Sequence, residues 1–514
     1  MQRHPRSDRA FWIALLVIVG LAAVLRLVGL NDRLHVGDDQ ARDLLTVKRS
    51  VETLHPFVVG PAQVANESGV VLGPFYYYLI TPAAILANYH PLGPAVLIAL
   101  LSVLAVAGIG WLGRVAFDPT TGLLAAFLLA VSSLAVEFGR FAWNPNPLPL
   151  VVVGIALGFW AWSERRPWGF PTTILLTVVA TQLHSTGFLL VPIVLVSSLI
   201  VRPPRPSWPM MGWVMLGVGL LLAPLLYHEV KHDWPSLWGY LGLEGQPGAA
   251  TSAWWYLRRA WDNLVAFFLA ELVASRSSWA LTGAGLVLCL AGLWQLRQWA
   301  IGVLFITLLT FGGLALALSG RLLFLHYFLF LIPAVIIGLA VGLRQLSGWR
   351  GGWGLVLVFL ILFTVVHVQA MAPTWQAIGQ ADYPATEATS IVYPDVEAAA
   401  AWILADAGER SPELLFVKPT ASHNQVAFDL AVERADRVVL EWDGILIPAQ
   451  PADADRLGEL IRTLSSTEPV GNHLDPLYVI VEPAGTPLPQ AFQALPIDVE
   501  ARFGQVKVLK VGEE

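Results

Sequence analysis

Apolar runs recur along this chain from Phe11 to Ala372, nearly free of charge and each about as long as a membrane crossing needs. A backbone inside hydrocarbon must satisfy its own hydrogen bonds, so such runs fold as helices. This part of the chain therefore reads as a polytopic α-helical membrane protein. Only 13% of all residues are charged, against the quarter or so of an ordinary soluble domain. Beyond Pro373 the runs stop and charge returns, which predicts a separate small soluble domain.

The visible runs are 10–30, 93–114, 122–138, 147–163, 168–184, 187–201, 209–227, 279–296, 299–318, 322–345 and 352–372. A twelfth stretch, 70–88, decides the topology. If it crosses the bilayer, Arg114, Arg165, Arg166, Arg202, Arg205, Arg344 and Arg350 all fall opposite the basic N-terminus. If it lies along the interface or re-enters, they all fall on the N-terminal side, as the positive-inside rule requires. The second arrangement predicts about eleven spans and a cytoplasmic N-terminus. Segments 31–92, 139–146, the turn at His184 to Gly187, 228–278 and the C-terminal domain then share the outer face. Spans 168–184 and 187–201 are short for a full crossing, which predicts a cavity indenting the bilayer there. In 228–278, Trp254, Trp255, Tyr256, Arg258, Arg259 and Trp261 precede the apolar stretch 264–274. That suits a helix at the interface, with an aromatic belt as the alternative.

The sequence thus predicts a membrane domain over 1–372, a Pro- and Thr-rich linker over 373–394, and a soluble α/β domain over 395–514. Expected elements of the last are helices at 395–407, 423–434 and 452–465 and strands at 414–417, 437–440, 478–481 and 506–511. No glycine-rich phosphate loop follows any of these strands. The basic N-terminus before the first run reads as an anchor rather than a cleaved leader. The net charge of −6, without a basic stripe, argues for no nucleic-acid partner. The lone Cys289 excludes an intramolecular disulfide.

The residues with chemistry cluster on the outer-face segments. Gly37-Asp38-Asp39-Gln40-Ala41-Arg42-Asp43 follows the first run directly, so three carboxylates and an arginine stand where a helix leaves the bilayer. Charges there are costly and usually functional. Asp38 or Asp39 suits a general base for a hydroxyl, and a helix from Asp39 places Arg42 and Asp43 on the same face. A helix cap at the membrane exit is the alternative role. Glu67, before Gly73-Pro74-Phe75-Tyr76-Tyr77-Tyr78, is a second candidate carboxylate, and Tyr77 a candidate contact. Arg140 breaks the positive-inside pattern, and its guanidinium fork suits phosphate. Arg42, Arg258 and Arg259 are further phosphate candidates. Asn144, in Trp143-Asn144-Pro145-Asn146, suits a sugar hydroxyl. His184 and Tyr327 complete the set, with weaker outer-face candidates at Glu229, Lys231, His232, Arg321 and His326. There is no Walker motif, no zinc-ligand spacing and no GxSxG elbow.

Five stretches together resemble the GT-C class of membrane glycosyltransferases, in particular its protein O-mannosyltransferase and aminoarabinose transferase branch. They are 37–43, 73–78, Arg140-Phe141-Ala142-Trp143-Asn144-Pro145, Gln182-Leu183-His184, and His326-Tyr327-Phe328 before Pro333. The resemblance covers roughly 10–372. It implies a polyprenyl-phosphate sugar donor, a membrane-embedded cavity, and chemistry on the outer face of a plasma (inner) membrane of bacterial type. It also implies a catalytic acid in the first outer loop, a role that falls on Asp39 or Asp38, with Asp39 favoured. The resemblance fixes no cofactor, although a divalent ion is compatible with the leaving group. Many relatives carry His-Pro-Pro or Lys-Pro-Pro before the tyrosines where this chain has Leu72-Gly73-Pro74. A lysine contact to phosphate is therefore absent, and the burden shifts to Arg42, Arg140 or 258–259. The implied reaction is an inverting transfer from the lipid phosphate to an acceptor hydroxyl. A flippase for a lipid-linked sugar is the rival, sharing the cavity but needing no surface acid.

Overall fold

The computed structural model describes residues 5–61, 70–241, 253–263, 278–319, 323–376, 392–408, 413–417, 431, 477–481 and 497–511. They fall into two compact units. One comprises 1–28, 50–83 and 94–372, the other 29–49, 84–93 and 373–514.

The described helices of the first part of the chain are α1 (Pro5–Leu27), α2 (Asp38–Glu52), α3 (Phe75–Leu86), α4 (Leu92–Ala116), α5 (Pro119–Val131), α6 (Ser133–Glu137), α7 (Leu148–Ser163), α8 (Gly169–Leu183) and α9 (Leu190–Val201). They continue as α10 (Trp208–Lys231), α11 (Pro235–Leu241), α12 (Ala253–Trp261), α13 (Trp279–Leu296), α14 (Ala300–Ala317), α15 (Ile332–Leu346) and α16 (Gly352–Gln376). Among the described residues, seven helices are long and apolar enough to cross a bilayer, and five shorter apolar ones accompany them. The chain is a polytopic membrane protein. Helix α3, with twelve residues, reaches roughly 18 Å at 1.5 Å per residue, well short of a hydrocarbon core of about 30 Å.

Small residues let helices of the first unit approach closely. On α13 and α15 a side chain at Gly292 would strike the Gly338 carbonyl, and one at Gly342 would strike the Leu288 carbonyl. The expected single span over 122–138 is divided instead. Helix α5 ends at Val131, and Ser132 caps the short α6. The Ser132-Ser133 pair allows this break, because hydroxyls bond nearby backbone groups. His367 Nδ1 accepts from the Ser133 N–H at 3.1 Å. The carbonyls exposed by the break are met by Arg26, fully buried within α1. It donates to Ala130 O (3.1 Å), Leu129 O (3.3 Å) and Ser102 Oγ (2.7 Å).

In the second unit, residues 29–49 and 84–93, which the sequence reads as outer-face loops, cluster with the C-terminal segment. Helix α17 (Tyr393–Ala407) packs on a four-stranded sheet ordered β1-β2-β4-β3, with β1 Glu413–Val417, β2 Leu477–Val481, β3 Ile497–Phe503 and β4 Val506–Val511. β1 and β2 run parallel, and the other pairings are antiparallel. Asp406 joins helix to sheet, accepting from the Tyr478 hydroxyl at 2.5 Å and pairing with Lys510 at 2.8 Å. The β3–β4 turn places Gly504 at φ 53°, pressed against Asp395, whose carboxylate accepts from the Gln505 N–H at 3.1 Å. The strands predicted at 414–417, 478–481 and 506–511 are present, and β3 is an addition. The elements expected at 423–434, 437–440 and 452–465 lie outside the described residues, apart from Ala431, as does 377–391 of the expected linker.

Candidate active site

Two groups of candidate residues form, one in each unit. In the second unit Gly37 stands at the N-cap of α2, and the Gln40 side chain reaches back to accept its N–H at 2.8 Å, half of a capping box. Asp38 and Asp39 therefore occupy the first turn, where the helix dipole favours carboxylates. The Arg42 guanidinium pairs with Asp39 Oδ1 at 2.8 Å and Asp43 Oδ1 at 3.0 Å. Asp43 is 1% exposed and anchors the arginine from below, while Asp39 is 36% exposed. A carboxylate held in place and reachable from solvent can act as a general base. The i, i+3 face predicted from the sequence is present, and Arg42, a phosphate candidate, is engaged with carboxylates. The Asp38 side chain lies outside the described residues.

The same unit ties this loop to the C-terminal segment. His35 forms an antiparallel bridge with Val392, and Tyr393 N–H donates to Leu34 O at 2.9 Å. His90 stands edge-on to Tyr393 at 5.5 Å and pairs with Glu397 at 3.4 Å. Burial pushes His35 down to about 4, so it is neutral at pH 7.

In the first unit, four of the five stretches that carry the resemblance converge. Gly73 packs so closely on Gln182 that any side chain there would collide with it. Gln182 in turn donates to Leu221 O at 3.1 Å. Asn144 donates to Leu183 O at 2.5 Å. His184 ends α8 and caps a 3₁₀ turn, Ser185–Leu189. Its Nδ1 faces the Thr186 hydroxyl at 2.9 Å and N–H at 3.3 Å, which makes Nδ1 the acceptor and puts the neutral ring's proton on Nε2. Its ring stands edge-on to His326 (5.3 Å) and Tyr327 (5.2 Å), and Trp143 packs on His326 at 4.4 Å. Sequence reasoning singled out neither Trp143 nor the His184–His326 contact. The only signal was that both lie inside named stretches.

The other predicted residues have different settings. Arg140 is buried and its Nη1 donates to Leu25, Arg26 and Val28 carbonyls at 3.0–3.1 Å, capping the C-terminus of α1. Arg140 thus has a structural role at the end of α1. Tyr77 is 4% exposed and packs on Phe57. Arg258 is exposed on α12, and Arg259 lies over the Trp255 ring at 5.3 Å. Glu229 is buried and accepts from Ser236 N–H at 3.1 Å, while Ser236 Oγ accepts from Val71 N–H at 3.1 Å. Glu67, Arg321 and 264–274 lie outside the described residues. Among those described, no three His, Cys, Asp or Glu side chains are arranged to hold a metal ion.

No family model and no curated protein matches this sequence. Solved structures do. The chain superposes on ArnT from Cupriavidus metallidurans in the apo state with TM-score 0.61 at 12% identity, covering 99% of this chain and 100% of that one. ArnT bound to undecaprenyl phosphate gives 0.60 at 13% identity over 98% and 99%. The archaeal oligosaccharyltransferase AglB from Archaeoglobus fulgidus, in complex with an inhibitory peptide and a dolichol-phosphate, gives 0.50 at 11% over 93% and 70%. The fold implied by the five sequence stretches is the fold found: this chain is a polytopic membrane protein of GT-C fold.

Proposed function

We propose that the protein is a membrane glycosyltransferase that moves a sugar from a polyprenyl-phosphate donor to an acceptor hydroxyl. The observation that carries this reading is Asp39, ion-paired and half-exposed on the first turn of α2, in a chain with the fold of ArnT. That ArnT has been solved bound to undecaprenyl phosphate supports the donor class. The 1–372 and 395–514 division and the outer-face position of the acid loop belong to the same proposal. So do the plasma-membrane location, the cytoplasmic N-terminus and the extracytoplasmic C-terminal segment.

In the proposed reaction Asp39 takes the proton of the acceptor hydroxyl as its oxygen attacks the anomeric carbon. The bond from that carbon to the phosphate oxygen breaks in the same displacement, so the configuration inverts and polyprenyl phosphate leaves. A phosphodiester is a good leaving group and needs no general acid. Arg258 and Arg259 are the cations assigned to its charge. Arg42, engaged with Asp39 and Asp43, orients the base. His184 and Tyr327 are assigned to sugar or acceptor hydroxyls.

The test is release of free polyprenyl phosphate from polyprenyl-phosphate hexoses and pentoses by the purified protein in lipid discs, with crude acceptor extract. Release with one preferred sugar is expected. Release from none, with lipid-linked sugar crossing a liposome bilayer, would favour the flippase.

A further inference from the structure

The ends of five helices in the first unit enclose a cleft away from the candidate site. They are the last turns of α4, α13 and α15 and the first turns of α5 and α14. The cleft holds about 360 Å³ and is lined by Phe117, Asp118, Gln295, Trp299, Arg344 and Gln345 among others. The three segments that build it, 111–121, 294–300 and 341–353, carry Arg114, Arg297, Arg344 and Arg350 against a single acid, Asp118. That acid is already committed. Asp118 caps α5, accepting from Thr120 N–H (2.9 Å), Thr121 N–H (3.1 Å) and the Thr121 hydroxyl (2.7 Å). It reaches Arg344 Nε only at 3.4 Å.

Arg344 consequently has capacity left. Its Nη1 donates to Ser347 Oγ at 3.2 Å, and its Nη2 has no partner among the described residues. The Gln295 and Gln345 side-chain amides also make no hydrogen bond among the described residues. Trp299 is 49% exposed with its ring 5.5 Å from Phe117, and Trp294, Trp349 and Trp353 stand exposed in the same three segments. Tryptophans at helix ends mark the level of lipid headgroups. A guanidinium with a free edge matches phosphate oxygens, and basic pockets between membrane helices take anionic headgroups.

We propose that this cleft binds the headgroup of an anionic phospholipid. The phosphate sits on Arg344, the amides of Gln295 and Gln345 hold the remaining headgroup oxygens, and an acyl chain runs past Trp299. None of the residues assigned to glycosyl transfer lines the cleft, so the proposal does not rest on that function.

The test is native mass spectrometry of the full-length protein titrated with phosphatidylglycerol, phosphatidylcholine or inorganic phosphate. Arg344→Gln, Gln345→Glu and the control Arg166→Gln are titrated alongside. Gln345→Glu leaves the Arg344–Asp118 pair intact and sets a carboxylate against the phosphate. It separates lost binding from lost fold. The expected result is one tightly held phosphatidylglycerol, preferred over phosphatidylcholine. Its binding should weaken about tenfold in both cleft variants, the scale of one charge-assisted hydrogen bond, and stay unchanged in Arg166→Gln. Equal retention of the two lipids, equal weakening in the control, or saturation by inorganic phosphate without preference for lipid would overturn it.

Discussion

His35 pairs with Val392 in an antiparallel bridge, and the next residue, Tyr393, donates its N–H to Leu34. Two residues after His35 comes the cap of the acid-bearing helix, and Tyr393 opens the helix that carries the C-terminal sheet. The loop with the candidate base and the C-terminal segment are thus parts of one folding unit. Tyr393 is 1% exposed, so Tyr393→Ala should destabilise this unit by about 3–5 kcal/mol, the usual range for deleting a buried aromatic side chain. Tyr393→Phe, which keeps the ring, should cost only about 1 kcal/mol, the scale of one hydrogen bond. Hydrogen exchange of 29–49, followed by mass spectrometry, reads both outcomes.

His35 gives that unit a pH dependence. Its pKa in the folded state, about 4, lies below the ordinary 6.5. The unfolded chain therefore binds a proton first as pH falls. His35 leaves stability intact above pH 6.5 and draws it down between pH 6.5 and 4, by up to about 3 kcal/mol. Unfolding midpoints across this range should fall in the wild type and flatten in His35→Gln.

Arg26 fills the break between α5 and α6. Arg26→Leu removes donors from the Leu129 and Ala130 carbonyls inside the protein and should cost about 3–5 kcal/mol. Arg26→Lys, without the fork, should recover only part of it. Thermal unfolding in detergent would rank the three proteins.

Gly73 lies so close to Gln182 that a side chain there would collide with it. Gly73→Ala should cost about 1–3 kcal/mol by overpacking, and Gln182→Ala should relieve much of that cost in the double variant. Strict additivity in the double-mutant cycle would show that the two residues do not touch.

The sequence carried the membrane architecture because each run had to be helical in lipid, and most span limits agree with the observed helices within a few residues. The α2 carboxylates and Arg42 were legible because a helix fixes the i, i+3 face. The role of Arg140 was not: nothing local to 137–149 says that its partners are the last carbonyls of α1. Arg26 was hidden inside an apolar run, and its role depends on a helix break a hundred residues away. Strand β3 was legible too, since Ile497, Val499, Ala501 and Phe503 alternate with Asp498, Glu500 and Arg502 at the period of a strand, and the sequence reading passed over it. The bridge at His35–Val392 joins residues that no periodicity connects.

The central claim is that Asp39 is the base of a glycosyl transfer, and Asp39→Asn tests it most directly. The variant keeps the size and a hydrogen-bonding group but cannot accept the hydroxyl proton. Turnover should fall by about 10²–10⁴-fold, the scale of general-base catalysis, while binding of the polyprenyl-phosphate donor persists. Near-normal turnover by Asp39→Asn would contradict the account.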